Sequence, residues 1–309
     1  MGEKWIVGRW CADCDECRLR CGQDFTRGPL RLLHRTPFGR GFTKSAFAGT
    51  WHGSAVVIKL PNSEDAAGRF IDMHYVNTKA AARVPGNYPY RIYGGCFEGQ
   101  RPYEVAEAGL ARFEDLLKVR LRWCYRVHLA WQIVHFGAAL EQRGLCHCDW
   151  QISQTAVDAS AQFRLLDLKS IKQASTRLIG WPGSDSRSRD GSERGCQHSH
   201  GYRQDMAQIT VTDFLRPLLL HPSAVWDYDS THTQMVEALS AGLGHHTTTR
   251  HWSFVRAATF LQEYMNRTRV QECVKDERNS TAAMLMKAAT IKNEHMEKCK
   301  YSKYCRRHV

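Results

Sequence analysis

The sequence predicts an α+β fold with two lobes, a small β-rich lobe in front and a larger helical lobe behind it. Short apolar runs separated by turn residues dominate residues 35–108, which is typical of strands. Beyond residue 110 the apolar residues recur at helical spacing instead, and the chain contains no internal repeat. Strands followed by helices in this order favour a layout in which the two kinds of element are segregated.

The front lobe is predicted to open with a β-hairpin. Residues 39–51 and 54–60 have the composition of strands, and the His52-Gly53 pair between them suits a tight turn. Two further strands are predicted between residues 90 and 105, around a pair of glycines. Between the hairpin and these strands a helix is predicted from three apolar residues at three-residue spacing, Phe70, Met73 and Val76.

The back lobe is predicted to be organised around one long core helix at residues 126–143, which ends at Gly144. The Ser, Gly, Arg and Asp residues at 183–201 predict a mobile loop, because so polar a stretch buries little apolar surface. The predicted division of the chain has four segments: a cysteine-rich leader at 1–34, a front lobe at 35–108, a back lobe at 109–270, and a basic, cysteine-containing tail at 271–309.

Composition and charge exclude several classes of protein without selecting a partner. The chain has 309 residues, of which 43% are hydrophobic and 24% are charged, and this excludes a wholly disordered chain, collagen and a coiled coil. The net charge of +12 raises the affinity for phosphates and acidic partners in general, so nucleic acid is not favoured over nucleotides or acidic proteins. No apolar run reaches the roughly 18 residues of a membrane helix, so no transmembrane segment is predicted.

The twelve cysteines favour a disulfide framework and therefore an oxidising compartment. Two Asn-X-Ser/Thr sequons, at Asn266 and Asn279, are compatible with a secreted glycoprotein. The predicted location is the secretory pathway or the extracellular space, with the endoplasmic reticulum and Golgi lumen included, if a targeting segment is missing from this chain. Otherwise the chain would be cytoplasmic.

Four cysteines near the front have a spacing with more than one interpretation: Cys11, Cys14, Cys17 and Cys21. This spacing occurs in bacterial iron–sulfur runs, but Gly22 stands where that motif has proline. The residues between the cysteines are charged, which suits a dry cluster pocket poorly. Disulfides are favoured for these cysteines, and zinc or another metal is the alternative. A redox or metal protein built on the cluster is accordingly one candidate function.

Three motifs further along the chain have an order and spacing that point to phosphate chemistry. Gly39-Arg40-Gly41, with Lys44 behind it, is a glycine turn that can approach phosphates closely, and Lys59 at the end of an apolar run can pair with phosphate oxygens. Asp149 is followed five residues later by Gln154. Asp167 follows a second apolar run. An aspartate base, a metal-binding amide and a second, metal-binding aspartate recur in this order in phosphoryl transfer.

These motifs resemble those of protein kinases, and more closely those of the divergent, cysteine-rich protein kinase family of the secretory pathway. The resemblance implies a two-lobed protein kinase-like fold, ATP and Mg²⁺ (or Mn²⁺) as cofactors, and a protein substrate with a Ser/Thr or Tyr hydroxyl. It implies that Asp149 is the catalytic base and that Gln154 and Asp167 bind the metal. Gly39, Gly41, Lys44 and Lys59 would contact the nucleotide. No oligomeric state is predicted.

Three positions depart from the pattern of that family. The carboxylate that pairs with Lys59 is not an evident glutamate, and Asp72 is predicted for this role, with Glu64 as the alternative. Gln154 is longer than the usual asparagine, and Lys169 can compete with Mg²⁺ for the carboxylate of Asp167. Three functions therefore stay open at this point: an active kinase, a pseudokinase that acts as a binding module, and the redox or metal protein built on the front cysteines.

Overall fold

The structure is a computed structural model with a β-sheet in the N-terminal half and helices in the C-terminal half. It describes residues 19, 21–22, 24–98, 101–108, 111–118, 121–158, 161–173, 195–197, 203–220, 230–244 and 252–275. These residues divide into two compact units. Unit 1 contains the described residues up to Lys79 together with those in Tyr90–Leu110, and unit 2 contains Ala80–Pro89 and the described residues from Ala111 onward. Within the described residues, no helix has both the length and the apolarity that crossing a membrane requires.

Unit 1 is built on a six-stranded antiparallel sheet in the order β1-β3-β4-β6-β5, with β2 paired to β3. The strands are β1 (Leu30–Leu32), β2 (Gly39–Arg40), β3 (Lys44–Trp51), β4 (Ser54–Pro61), β5 (Ile92–Cys96) and β6 (Tyr103–Glu107). The predicted hairpin is confirmed, since Trp51 pairs with Ser54 across a two-residue turn. His52 and Gly53 both have positive φ, as a type I′ turn requires. β1 lies within the predicted leader and pairs with β3.

One helix of unit 1, α1 (Ala67–Ala81), differs from the prediction in the face that it buries. Phe70 is buried as expected, but Val76 is 47% exposed. The buried positions include two polar residues, His74 and Asn77. The apolar spacing pointed to the wrong stripe because it ignored polar side chains, which can be buried when they have hydrogen-bond partners.

Unit 2 contains the remaining helices and several short strands. The helices are α2 (Phe113–Leu116), α3 (Trp123–Glu141), α4 (Met206–Ile209), α5 (Arg216–Leu219), α6 (Ser230–Gly244) and α7 (Phe254–Arg267), with a π-helical segment at Thr210–Leu215. The predicted long core helix is confirmed, because α3 is buried along most of its length. It lies against α7 so closely that a side chain at Gly137 would clash with Phe254. A disulfide between Cys124 and Cys273 joins the start of α3 to the residues after α7.

Two small sheets of unit 2 arrange the segments that contain the predicted site residues. β7 (Ala111–Arg112), β9 (Thr155–Val157) and β10 (Phe163–Leu165) form one sheet, and β8 (Leu145–His147) pairs with β11 (Ile171–Gln173) in the other. A further strand pair is formed by β12 (Gly195–Gln197) and β13 (Arg203–Asp205). The predicted mobile loop at 183–201 lies outside the described residues except for the backbone of β12.

Candidate functional site

In unit 2, two antiparallel strand pairs bring the segment of Asp149 next to the segment of Asp167. Asp149 follows β8, and Asp167 lies between β10 and β11. The Cys148 amide donates to the Ser170 carbonyl at 2.8 Å, and the Leu166 amide donates to the Gln154 carbonyl at 2.8 Å. The β9–β10 hairpin therefore places the backbone of Gln154 beside the residue that precedes Asp167.

The carboxylate of Asp149 is held by two side-chain amides. Gln154 Nε2 donates to Oδ2 at 2.6 Å, and Gln151 Nε2 donates to Oδ1. The short 3-10 turn Ile152–Gln154 makes this arrangement possible, because it folds Gln154 back toward the aspartate. The carboxylate is thus fixed in orientation, as a general base must be if it is to meet a hydroxyl proton.

The amide of Gln154 has one end satisfied and the other end without a partner. Its Nε2 bonds to Asp149, so its Oε1 points away from that carboxylate. Oε1 is buried and accepts no hydrogen bond from any described residue. Buried polar atoms nearly always have a partner, and an amide oxygen is one of the ligands that Mg²⁺ accepts. Gln154 therefore fits the predicted role of a metal ligand.

The carboxylate of Asp167 forms an ion pair with Lys169, a lysine of the same segment. Lys169 Nζ lies 3.0 Å from Asp167 Oδ2, and the Lys169 amide donates to Oδ1 at 3.1 Å. The Lys169 side chain is 41% exposed, so the lysine can move away from the carboxylate at little cost. Asp167 is of a residue type that Mg²⁺ accepts as a ligand, and Lys169 lies next to it as the sequence predicted. No group of three or more His, Cys, Asp or Glu side chains suited to a metal ion occurs in the described parts of the chain.

His147 links the two aspartate segments and has no counterpart among the residues singled out from the sequence. Its Nε2 donates to the Asp167 carbonyl at 3.1 Å, and its Nδ1 accepts from the Asp149 amide at 3.4 Å. Burial lowers the pKa of His147, which favours the neutral ring that this pair of bonds requires. Its position two residues before Asp149 was the available signal.

Trp150, directly after Asp149, anchors this loop in the core of unit 2. It is almost fully buried and stacks on Phe214, with ring centroids 4.7 Å apart. Its Nε1 donates to Thr210 Oγ1 at 3.0 Å, so the polar edge of the indole is also satisfied. The loop that carries Asp149 is therefore fixed by a large aromatic contact immediately beside it.

In unit 1 the structure corrects the predicted partner of Lys59. Its Nζ lies 2.9 Å from Glu104 Oε1, whereas Asp72 and the alternative Glu64 are both exposed. Asp72 is on α1, and Glu104 is on β6, directly opposite Lys59 on β4. The sequence reasoning sought the carboxylate on a helix and so passed over one on a strand.

Glu104 is a buried carboxylate with several partners in unit 1. Burial alone would raise its pKa, but Lys59, His74 and Lys44 outweigh this effect and hold the pKa well below its usual range. Glu104 is therefore ionised at neutral pH. Lys44, predicted as a nucleotide contact, lies at the start of β3 and acts on Glu104 through its charge.

The glycine turn between β2 and β3 is held by a residue that was not identified from the sequence. Asn62 Nδ2 donates to the carbonyls of Gly41 and Phe42 at 2.8 and 3.0 Å, and its Oδ1 accepts from Ser45 Oγ at 2.7 Å. Gly39 lies in β2, where it pairs with Ala46. The turn is therefore rigidly attached to β3 and β4, with Phe42 90% exposed at its tip.

At Gly41 the local fold does not itself require glycine. Its φ is not in the positive range, and an added Cβ would meet only the Lys44 carbonyl, at 3.4 Å. The absence of a side chain leaves the backbone of the turn open to a close ligand, which is what a phosphate contact needs.

Of the four front cysteines, only Cys21 lies within the described residues, and it forms a disulfide with Cys96 of β5. Cys11, Cys14 and Cys17 lie outside the described residues. A cysteine in a disulfide has no thiolate to offer a metal. The bond therefore supports the disulfide interpretation for Cys21 and removes one ligand from a four-cysteine metal or iron–sulfur site.

No protein-family model matches this chain, and no curated protein is significantly similar to it.

Proposed function

We propose that the chain is a divergent protein kinase that binds Mg-ATP and transfers the γ-phosphoryl group to a protein hydroxyl. The observation that carries this proposal is the arrangement in unit 2 of Asp149, Gln154 and Asp167. Asp149 is oriented by the amide of Gln154, the other end of that amide is an unsatisfied buried oxygen, and the backbone of Asp167 is tied to the same loop through His147. These are the parts that phosphoryl transfer needs from one lobe of a kinase.

Each residue has a distinct role in the proposed reaction. Asp149 accepts the proton of the attacking hydroxyl, and Asp167 with the Oε1 of Gln154 would hold Mg²⁺ or Mn²⁺. When bound, the metal neutralises charge on the phosphate oxygens. Lys59, paired with Glu104, supplies a positive charge for the phosphates, and the glycine turn from Gly39 to Gly41 lets the backbone approach them closely.

A second candidate function, a nucleotide-binding pseudokinase, is favoured by one specific observation. Lys169 occupies both oxygens of Asp167, one through its ammonium group and one through its amide. A lysine in this position can neutralise Asp167 in place of a metal and so permit nucleotide binding without transfer. The redox or metal function is not proposed, because Cys21 is in a disulfide.

The proposed compartment is an oxidising one, in the secretory pathway or outside the cell. Two disulfides, Cys21–Cys96 and Cys124–Cys273, join residues that are distant in the sequence. Such bonds form and persist in oxidising environments and are rare in the cytosol. Asn266, one of the two sequon asparagines, is exposed near the end of α7.

Two measurements on purified protein test the proposal. The first is the change in melting temperature with ATP and Mg²⁺, for wild type and Lys59→Met, with Lys118→Met as a control at an exposed lysine. The second is radiolabelled phosphate transfer from ATP to a mixed protein substrate. The kinase is supported if ATP stabilises wild type and Lys118→Met but not Lys59→Met, and if wild type transfers phosphate. Stabilisation without transfer supports the pseudokinase, and no nucleotide effect on wild type contradicts both.

A further inference from the structure

Lys59 and Glu104 form a cross-strand pair at the centre of the sheet of unit 1. They are direct partners in the register of β4 and β6, which are inner strands of that sheet. The side chain of Glu104 is only 2% exposed and that of Lys59 is 12% exposed. The carboxylate is thus buried, whereas the ammonium group remains slightly exposed to solvent. Strand register therefore places Glu104 opposite Lys59.

Both oxygens of Glu104 are used. Oε1 accepts from Lys59 Nζ at 2.9 Å and from the Tyr90 hydroxyl at 2.9 Å, and Oε2 lies 3.1 Å from His74 Nδ1. Lys59 Nζ also lies 3.6 Å from the centroid of the Tyr90 ring. Tyr90 therefore supports the ion pair twice, through its hydroxyl on the carboxylate and through its ring on the ammonium group.

His74 connects helix α1 to this pair. Since an ionised carboxylate can only accept hydrogen bonds, His74 Nδ1 carries the hydrogen and donates a hydrogen bond to Glu104 Oε2. The imidazole stacks on Phe97 with ring centroids 3.4 Å apart, and its Nε2 lies 3.4 Å from Thr78 Oγ1. His74 is buried, so the ring is fixed on its faces and at both nitrogens.

The strands β5 and β6 lie close together at Glu104. Gly95 is opposite Glu104 in the register of β5 and β6, and a side chain there would clash with the Tyr103 carbonyl and with Phe97. The next residue, Cys96, is in the disulfide with Cys21. The main chain of Glu104 is therefore held against β5, while its carboxylate is held by Lys59, Tyr90 and His74.

We propose that Glu104 and His74 are positioning residues for Lys59, with Glu104 aiming the ammonium group from the sheet and His74 transmitting the position of α1 to it. The inference rests on the proposed function, in which Lys59 contacts the phosphates of a nucleotide. It assigns to a strand the carboxylate that was sought on α1. Because β4 and β6 pair in this register, the sheet keeps Glu104 opposite Lys59.

The test measures the acylation rate of Lys59 by an amine-reactive reagent at neutral pH, read by peptide mass spectrometry, alongside the Kd for ATP. In Glu104→Gln the Lys59 nitrogen loses its charged partner and is freer to react, so we expect faster acylation, by about tenfold for the loss of one charge-assisted contact. We expect the Kd to rise about tenfold in the same variant, as for the loss of one charge-assisted contact. Asp72→Asn, at an exposed acid, leaves both values unchanged.

Two variants of His74 keep the test decisive if Glu104→Gln does not fold. His74→Asn retains a donor at the place of Nδ1. Its acylation rate and its Kd for ATP are expected to stay within about twofold of wild type, a change in free energy smaller than RT. His74→Leu has similar bulk without the donor, and it is expected to raise both the Lys59 acylation rate and the Kd for ATP. Unchanged Lys59 acylation in Glu104→Gln and in His74→Leu, in a protein that binds ATP, overturns the inference and leaves the proposed function standing. No ATP binding by wild type overturns the proposed function itself, whatever the acylation rates are.

Discussion

His147 Nε2 donates a hydrogen bond to the main-chain carbonyl of Asp167 at 3.1 Å, and this bond joins the loop of Asp149 to the segment after β10. The contact ties together two loops, the one with Asp149 after β8 and the one with Asp167 between β10 and β11. It depends on a neutral imidazole with its proton on Nε2, since Nδ1 accepts from the Asp149 amide. The protonation state of one buried histidine therefore bears on the geometry of both aspartates.

The stability of the protein is expected to fall as His147 becomes protonated. Burial lowers its pKa in the folded state, so the unfolded chain binds the proton more tightly. The contribution of neutral His147 is complete above the unfolded pKa of about 6.5 and is lost as the pH falls below that value toward the folded pKa. His147→Gln keeps a donor in the place of Nε2 but does not titrate. Urea unfolding at several pH values between 7.5 and 5.5 should show a smaller loss of stability in His147→Gln than in wild type, and equal losses would contradict the assignment.

Lys169 is expected to oppose metal binding at Asp167. In Lys169→Met the carboxylate loses its internal cation, so Mg²⁺ should support nucleotide binding at a concentration lower by about threefold to tenfold, which corresponds to roughly 1 kcal/mol for a half-exposed ion pair. The measurement is the Mg²⁺ dependence of ATP-induced stabilisation. Lys172→Met, at an exposed lysine on β11, changes the net charge equally and is the control. The same shift in both variants would show a general charge effect.

Asp149→Asn is expected to separate chemistry from binding. If transfer is detected, turnover should fall by roughly 10²–10⁴, the usual contribution of a positioned base. The Kd for ATP should stay near the wild-type value, because the carboxylate is engaged by Gln151 and Gln154 and is assigned to the hydroxyl and not to the phosphates. Asp213→Asn, at an exposed acid in the π-helical segment, serves as the control. Full turnover in Asp149→Asn would remove the base assignment.

The disulfide between Cys21 and Cys96 is expected to stabilise unit 1. It closes a long loop, with a sequence separation of 75, and a disulfide typically contributes about 2–4 kcal/mol, mainly by constraining the unfolded chain. The double variant Cys21→Ser with Cys96→Ser should lower the free energy of unfolding of unit 1 by that amount. Cys96 adjoins Phe97, which stacks on His74, so Lys59 acylation is a second readout. An unchanged free energy of unfolding in the double variant would show that the bond does not form in the protein.

Features that depend on neighbours along the chain were predictable from the amino-acid sequence. The hairpin of β3 and β4 follows from two strand-like runs and a His-Gly turn whose residues both adopt positive φ. The long core helix follows from the helical spacing of its apolar residues. Gln154 is close to Asp149 because a short turn connects them. Lys169 is close to Asp167 because only one residue separates them in the chain. Local geometry decides these contacts, and spacing records local geometry.

The carboxylate that meets Lys59 and the face that α1 buries both depend on contacts between distant parts of the chain. Glu104 becomes the partner because β4 and β6 pair in one register, and nothing near Lys59 in the sequence specifies that register. His74 is buried because Glu104 provides an acceptor and Phe97 provides a stacking surface, both from distant parts of the chain. The pairing of Cys21 with Cys96 was equally illegible from spacing. A charge or a polar ring can leave water only where a partner compensates for the lost hydration, and the fold alone determines where that partner is.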